Sequence, residues 1–160
     1  MITYADCVPD DPKPKARPLG PTGEAVRANL VQIREAKRIP VTRLSERLET
    51  LGRHIPPLGI RRIEAGERRV DVDDLMAIAV ALDVSPITLL VPGLNSEDEH
   101  LQVSVTGVAA SVEALSLWNW VGGQAPPWFT GSVAQYISAA WPRWLQDKFN
   151  FLEVPSGDNQ

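Results

Sequence analysis

The stretch from Ile55 to Arg69, Ile-Pro-Pro-Leu-Gly-Ile-Arg-Arg-Ile-Glu-Ala-Gly-Glu-Arg-Arg, holds the side chains of this 160-residue chain best placed to do chemistry. Arg61, Arg62, Arg68 and Arg69 crowd into it. A guanidinium is a planar, permanently charged fork of donors that fits phosphate oxygens and the acceptor edge of guanine. The spacing predicts a short helix over about 56–65, with Pro56 or Pro57 in its first turn and Gly66 as its stop. Ile60 and Ile63 turn inward, which leaves Leu58, Arg61 and Arg62 facing out. A helix this short is not stable alone and must lean on neighbours. The expected chemistry is recognition of DNA rather than bond-making.

Catalytic constellations are not apparent. His54 and His100 are the only histidines, and neither comes with a Ser/His/Asp or Cys/His set. His54 reads as a surface loop residue. No glycine-rich loop is suited to cradling phosphate. Asp10-Asp11 and Asp73-Asp74 read as part of an extended arm and as a helix start. Asp98, Glu99 and His100 sit together without metal-site spacing, and Cys7 is alone, so neither a metal nor a disulfide is expected. The expectation is a non-enzyme without a cofactor.

The net charge of −4 conceals a segregation. Lys13 to Arg69 holds fourteen Lys/Arg against six Asp/Glu, a balance of +8, whereas Val70 onward holds two against eleven, a balance of −9. A positive field over one portion is what a nucleic-acid binder shows. The alternative is an arginine-rich face paired internally with the acidic remainder. No run of residues is long and apolar enough for a membrane helix, and the first residues do not read as a secretory signal. A reducing cytoplasmic setting, next to the nucleoid, is the simplest expectation.

The elements that must position the arginines follow from periodicity. Residues 1–22 are a proline-bearing arm, in which Lys13, Lys15 and Arg17 either trail along a DNA groove or form a solvated tail. Thr22 is expected to cap a helix over about 23–37 with Val26, Leu30 and Ile33 inward. A second helix starts near 41, buries Leu44, Leu48 and Leu51, and ends at Gly52. The arginine-bearing helix is third. Asp71 caps a fourth over about 72–83, with Asp74 completing a capping box and Leu75, Ile78, Ala79 and Leu82 inward. Ser85-Pro86 opens a fifth, which carries Leu89 and Leu90 and stops at Pro92-Gly93. Residues 23–93 therefore read as one five-helix, all-α bundle. After an acidic linker at 94–100 comes a small α(+β) extension over 101–150 and a tail over 151–160. In the extension, Leu101, Val103 and Val105 alternate as a strand, and Ser111 opens a helix through Val121. A helical stretch near 132–149 is kinked or restarts at Pro142. All five tryptophans lie between 118 and 144. They fill a small core or pack on the bundle, form a dimer interface, or line a small-molecule pocket.

Val26 to Leu90 resembles the lambda-repressor-like, or Xre, family of helix-turn-helix proteins. The resemblance rests on Ile33-Arg34-Glu35, Leu44-Ser45-Glu46-Arg47-Leu48, Ile60-Arg61-Arg62-Ile63-Glu64-Ala65-Gly66-Glu67-Arg68-Arg69, Leu82-Asp83-Val84-Ser85 and Leu89-Leu90. It implies an Arg34–Glu64 clamp that holds the recognition helix, with phosphate contact a second role for Arg34. It also implies base readout by Arg62, then Arg61, with apolar contact from Leu58 and Pro57. Thr42, Arg43, Arg68 and Arg69 fall where the family meets the DNA backbone, and Arg53 in the adjoining loop is placed to join them. Glu49 to Ile55 departs from the pattern, lengthening the link between the second and third helices beyond the usual short turn. The C-terminal third resembles an extension found in actinobacterial members. The implied function is a sequence-specific, double-stranded-DNA-binding transcriptional regulator, a repressor acting as a homodimer. The alternative is an antitoxin or interaction module, whose tryptophan-rich C-terminal part binds a protein partner while DNA binding serves autoregulation.

Overall fold

Val26, Leu30 and Ile33 recur at helical spacing, and α1 (Pro21–Ala36) buries all three. The computed structural model describes residues 18–98 and 100–150, without the side chains of Phe149 and Asn150. Cys7, Lys13, Lys15, Arg17, Glu99, the Phe149 side chain and the 151–160 tail lie outside the described residues. The described chain is mostly helical, with one small two-stranded sheet.

α1 starts earlier than expected, at Pro21. Gly20 occupies the N-cap and Thr22 caps nothing. Instead Thr22 and Thr106 exchange hydrogen bonds between side chain and backbone, at 3.0 and 3.3 Å, fastening α1 to the C-terminal part. α2 (Val41–Thr50) and α3 (Pro57–Glu64) follow, then α4 (Val72–Leu82) and α5 (Pro86–Leu90). α1 packs on α3 and α5, α2 on α3 and α4, and α4 on α5. Their common core includes Leu30, Leu44, Leu48, Ile60, Ile63 and Leu82, each at most 1% exposed. Burying one such side chain contributes about 1.5–3 kcal/mol, which is what holds so short a helix as α3 in place.

Two expectations change here. Leu51 is 47% exposed, because α2 ends at Thr50 and Gly52 turns the chain at φ +77°. The cap of α4 forms as expected, with the Asp71 carboxylate accepting from the Asp74 N–H at 2.7 Å. Asp74, however, does not complete a capping box. Its side chain is buried and bonded to two arginines.

The alternation at 101–105 yields a strand of only two residues. β1 (Gln102–Val103) pairs antiparallel with β2 (Val112–Glu113), with Val103 opposite Val112. Residues 112–113 are strand, so Ser111 caps no helix, and α6 (Ala114–Val121) starts after Glu113. Val91, Val103, Val105, Val112 and Leu117 form a second small core. A restart at Pro142 separates α7 (Val133–Ala140), which opens on a Ser132–Gln135 capping box, from α8 (Arg143–Asn150). No tryptophan is itself a buried core residue, but one packs on a core. Trp120 packs against the second cluster and meets Trp128 edge-on at 4.8 Å, while Trp118, Trp128 and Trp144 are 40%, 42% and 65% exposed. Among the described residues no helix is long and apolar enough to cross a membrane.

Candidate functional site

α3 is pinned from several sides. Ile60 and Ile63 anchor it in the core, and Ser45 Oγ on α2 donates to the Ile55 carbonyl at 2.7 Å, just before the helix starts. At the other end, Arg34 Nε on α1 donates to Glu64 Oε1 at 2.6 Å and its Nη2 to Oε2 at 3.3 Å. Both side chains are about seven-eighths buried, at 13% and 14% exposed. Arg34 Nη1 also donates to the Ile39 carbonyl, and Arg27 Nη1 to that of Glu64. A charge-assisted two-bond contact of this kind fixes angle as well as distance. Arg34 thereby makes the pair with Glu64 expected of it, with its donors directed into the fold.

The outer face of α3 carries Leu58, 60% exposed, with Arg61 and Arg62 beside it. Among the described residues neither of these guanidiniums has a hydrogen-bond or ion-pair partner. Pro57 is half-buried at the first position of the helix. Thr42 and Arg43 are exposed in the first turn of α2, where the N-cap Pro40 supplies no side-chain acceptor. Arg43 pairs with Glu46 at 2.9 Å, with both ends 62% exposed, a contact that water and salt readily replace.

Two basic residues turn out otherwise. Arg53 Nε donates to Asp74 Oδ1 at 2.7 Å, and its Nη2 to Asp71 at 2.7 and 2.9 Å. Arg68 Nη2 donates to Asp74 Oδ2 at 2.9 Å. The Asp74 carboxylate is 1% exposed, so it needs both cations. The longer link before α3 swings Arg53 back over the start of α4, so Arg53 and Arg68, both expected at the DNA backbone, are bonded to acidic side chains of α4. Part of the basic segment does therefore pair with the acidic remainder, as the alternative reading of the charge pattern had it. Arg69 is exposed and donates to the Pro18 carbonyl at 2.7 Å.

Electrostatics follow from these contacts. The Arg53 guanidinium is held above its ordinary value, first by its hydrogen bond to Asp74, against desolvation. Asp71 is held below the usual carboxylate range, first by the Asp74 N–H it accepts from and, more weakly, by Arg53. A lowered folded value contributes stability that is present above the ordinary value and lost as pH falls through the folded one. Asp71→Asn keeps an acceptor for the helix N–H but no charge. The stability gap between this variant and the wild type should be full at about pH 7 and narrower near pH 3, shrinking as pH falls from the ordinary aspartate value of about 4 towards and through the lowered folded one. Urea unfolding midpoints at the two pH values check this, and a gap unchanged in acid contradicts it.

Several further anchors carry no motif. Asn29, 3% exposed, directs its Nδ2 at the Thr88, Leu89 and Val91 carbonyls at the end of α5. Its signal in the sequence is a lone amide on the apolar stripe of α1. Arg47 and Lys37 donate to the last carbonyls of α4. His54 sits exposed against Glu49, as a surface loop residue would. No cluster of His, Cys, Asp and Glu among the described residues could hold a metal ion. Comparison with protein-family models, with curated proteins and with solved structures gives no match to this chain.

Proposed function

We propose that the chain is a sequence-specific, double-stranded-DNA-binding transcriptional regulator of the lambda-repressor-like helix-turn-helix type, acting as a repressor, with α2 and α3 as the paired helices. The observation that carries this reading is the outer face of α3. Arg61 and Arg62 stand exposed and, among the described residues, unpaired on a helix fixed by the Arg34–Glu64 and Ser45–Ile55 contacts. An unpaired guanidinium held on a rigid support loses little freedom when it binds the acceptor edge of guanine. Arg62 and Arg61 then supply discrimination, with Leu58 and the start of α3 at Pro57 offering apolar contact to a thymine methyl. Phosphate contact falls to Thr42 with the free N–H groups of the α2 terminus, to Arg43, and to Arg69.

Selection of duplexes from a fragmented genome or a random library tests the reading. One sequence class should be enriched, and its affinity should exceed that for a scrambled duplex by at least about a thousandfold at physiological salt. Equal affinity for both overturns it.

A second reading is favoured by one observation: Trp118, Trp128, Phe129, Val133 and Trp144 stay exposed in the C-terminal part. That surface suits a protein partner, as an antitoxin would require, with DNA binding retained for autoregulation. A stoichiometric complex with the product of an adjacent gene would support it, and failure of that product to bind would remove it.

A further inference from the structure

We propose that α4 carries a two-fold docking surface on which a second copy of this chain packs antiparallel. Val72, Met76 and Val80 follow at four-residue intervals, so they form one stripe, and they are 76%, 50% and 59% exposed. The opposite face of the helix already supplies Ile78, Ala79 and Leu82 to the core. A helix packed on one side should be polar on the other, and this one is not. Leu51, 47% exposed, extends the patch onto α2 across a groove of about 420 Å³ that Arg47, Thr50, Leu51, Val80 and Ala81 help to line.

The stripe commits to a second copy because it is complementary to itself. It has a valine four positions to either side of Met76. A two-fold axis at Met76 brings Val72 of each copy onto Val80 of the other, the reciprocal pairing that a closed dimer requires. The charges obey the same symmetry. Asp71 and Asp73 are exposed at the start of α4, where together with Asp74 they outnumber their paired cations Arg53 and Arg68 by one. At its end, Arg47 holds the Ala81 carbonyl at 2.9 Å, Lys37 holds those of Leu82 and Asp83 at 2.6 and 3.0 Å, and Arg43 is exposed nearby. Asp83 and Glu46 offset these three cations only in part. Antiparallel docking sets each acidic end against the basic end of the other copy, whereas parallel docking sets like against like. The exposed aromatic side chains of 118–144 show no such symmetry. Four apolar side chains cover less than the ~800 Å² per partner of a standard interface, so the dimer is reversible. No residue of the stripe belongs to the DNA-facing set, and the inference stands or falls apart from that reading.

Sedimentation of the full chain without DNA, at concentrations up to about 0.5 mM, should show a shift from one chain mass to two. Met76→Glu and Val80→Lys should each weaken self-association by at least about tenfold with circular dichroism unchanged. In a Cys7→Ser background, chains with Val72→Cys mixed with chains with Val80→Cys should form the mixed disulfide in preference to either self-pair. A wild type that stays monomeric overturns the proposal. A dimer indifferent to Met76→Glu and Val80→Lys also overturns it and moves the contact to the aromatic surface. Preferred self-pairing of Val72→Cys overturns the antiparallel arrangement.

Discussion

Asp74→Ala should destabilise the chain by about 3 kcal/mol and lower its melting temperature by roughly 6–12 °C. The carboxylate is 1% exposed and accepts from Arg53 on one oxygen and from Arg68 on the other. Arg53 precedes α3 and Arg68 follows it, so this one side chain ties both flanks of the helix to α4. Arg53 and Arg68 are 35% and 36% exposed. Each can therefore recover water when released, which keeps the loss below that of a fully buried pair. Arg53→Met or Arg68→Met should cost less than Asp74→Ala, because Asp74 keeps its other partner. The same release frees two cations next to the proposed DNA face. Attraction for any duplex at low salt should rise while discrimination between duplexes falls. Thermal melts by far-ultraviolet circular dichroism measure the first effect, and a loss under about 1 kcal/mol would show that the triad is not the anchor described here.

Arg34→Met should cost about 2–3 kcal/mol, since Glu64 would be left nearly buried without its cation. The variant keeps the aliphatic packing of the arginine stem, so the loss reports the charge contact. Glu64→Gln should cost somewhat less, because an amide still accepts from the guanidinium. The double variant should cost little more than Arg34→Met alone, a non-additivity that marks a direct pair. Additive losses would mean that each residue acts through other contacts. Neither residue faces outward, so a fall in DNA affinity in these variants would report the positioning of α3.

Which parts of this architecture the residues reveal by themselves depends on range. Ile60 and Ile63 against Leu58, Arg61 and Arg62 is a pattern local to one helix, and periodicity decides it. The Arg34–Glu64 contact spans 30 positions; no local pattern shows it, and only resemblance to a known arrangement pointed there. Asp74 was misread for a physical reason. An aspartate in a first helical turn ordinarily serves the helix terminus, and here Asp71 already does so. The missed signal was its place on the stripe with Ile78, Ala81 and Leu82, where a carboxylate stays charged only if cations come to it. The pairing of Arg53 and Arg68 with Asp74 is hidden in the sequence for the same reason. Leu51 looked inward because a helix was extended through it, and the early turn at Gly52 puts it outside. In the C-terminal part the alternation of Leu101, Val103 and Val105 marks β1, while the two residues of β2 are too few to leave a periodic trace. The exposure of Trp118 and Trp144 follows from which long-range contacts form, which composition does not encode.

The claim that α3 reads base edges while flanking groups hold the backbone is tested most directly by two variants on one selected duplex. Arg62→Ala should lose about 1–3 kcal/mol on that duplex and much less on a scrambled one, relaxing preference at one base pair. Arg69→Ala should weaken both duplexes by a similar factor and make the salt dependence shallower by about one counterion. Equal losses on the selected and scrambled duplexes for Arg62→Ala as well would contradict the account, because α3 would then contribute charge and no readout.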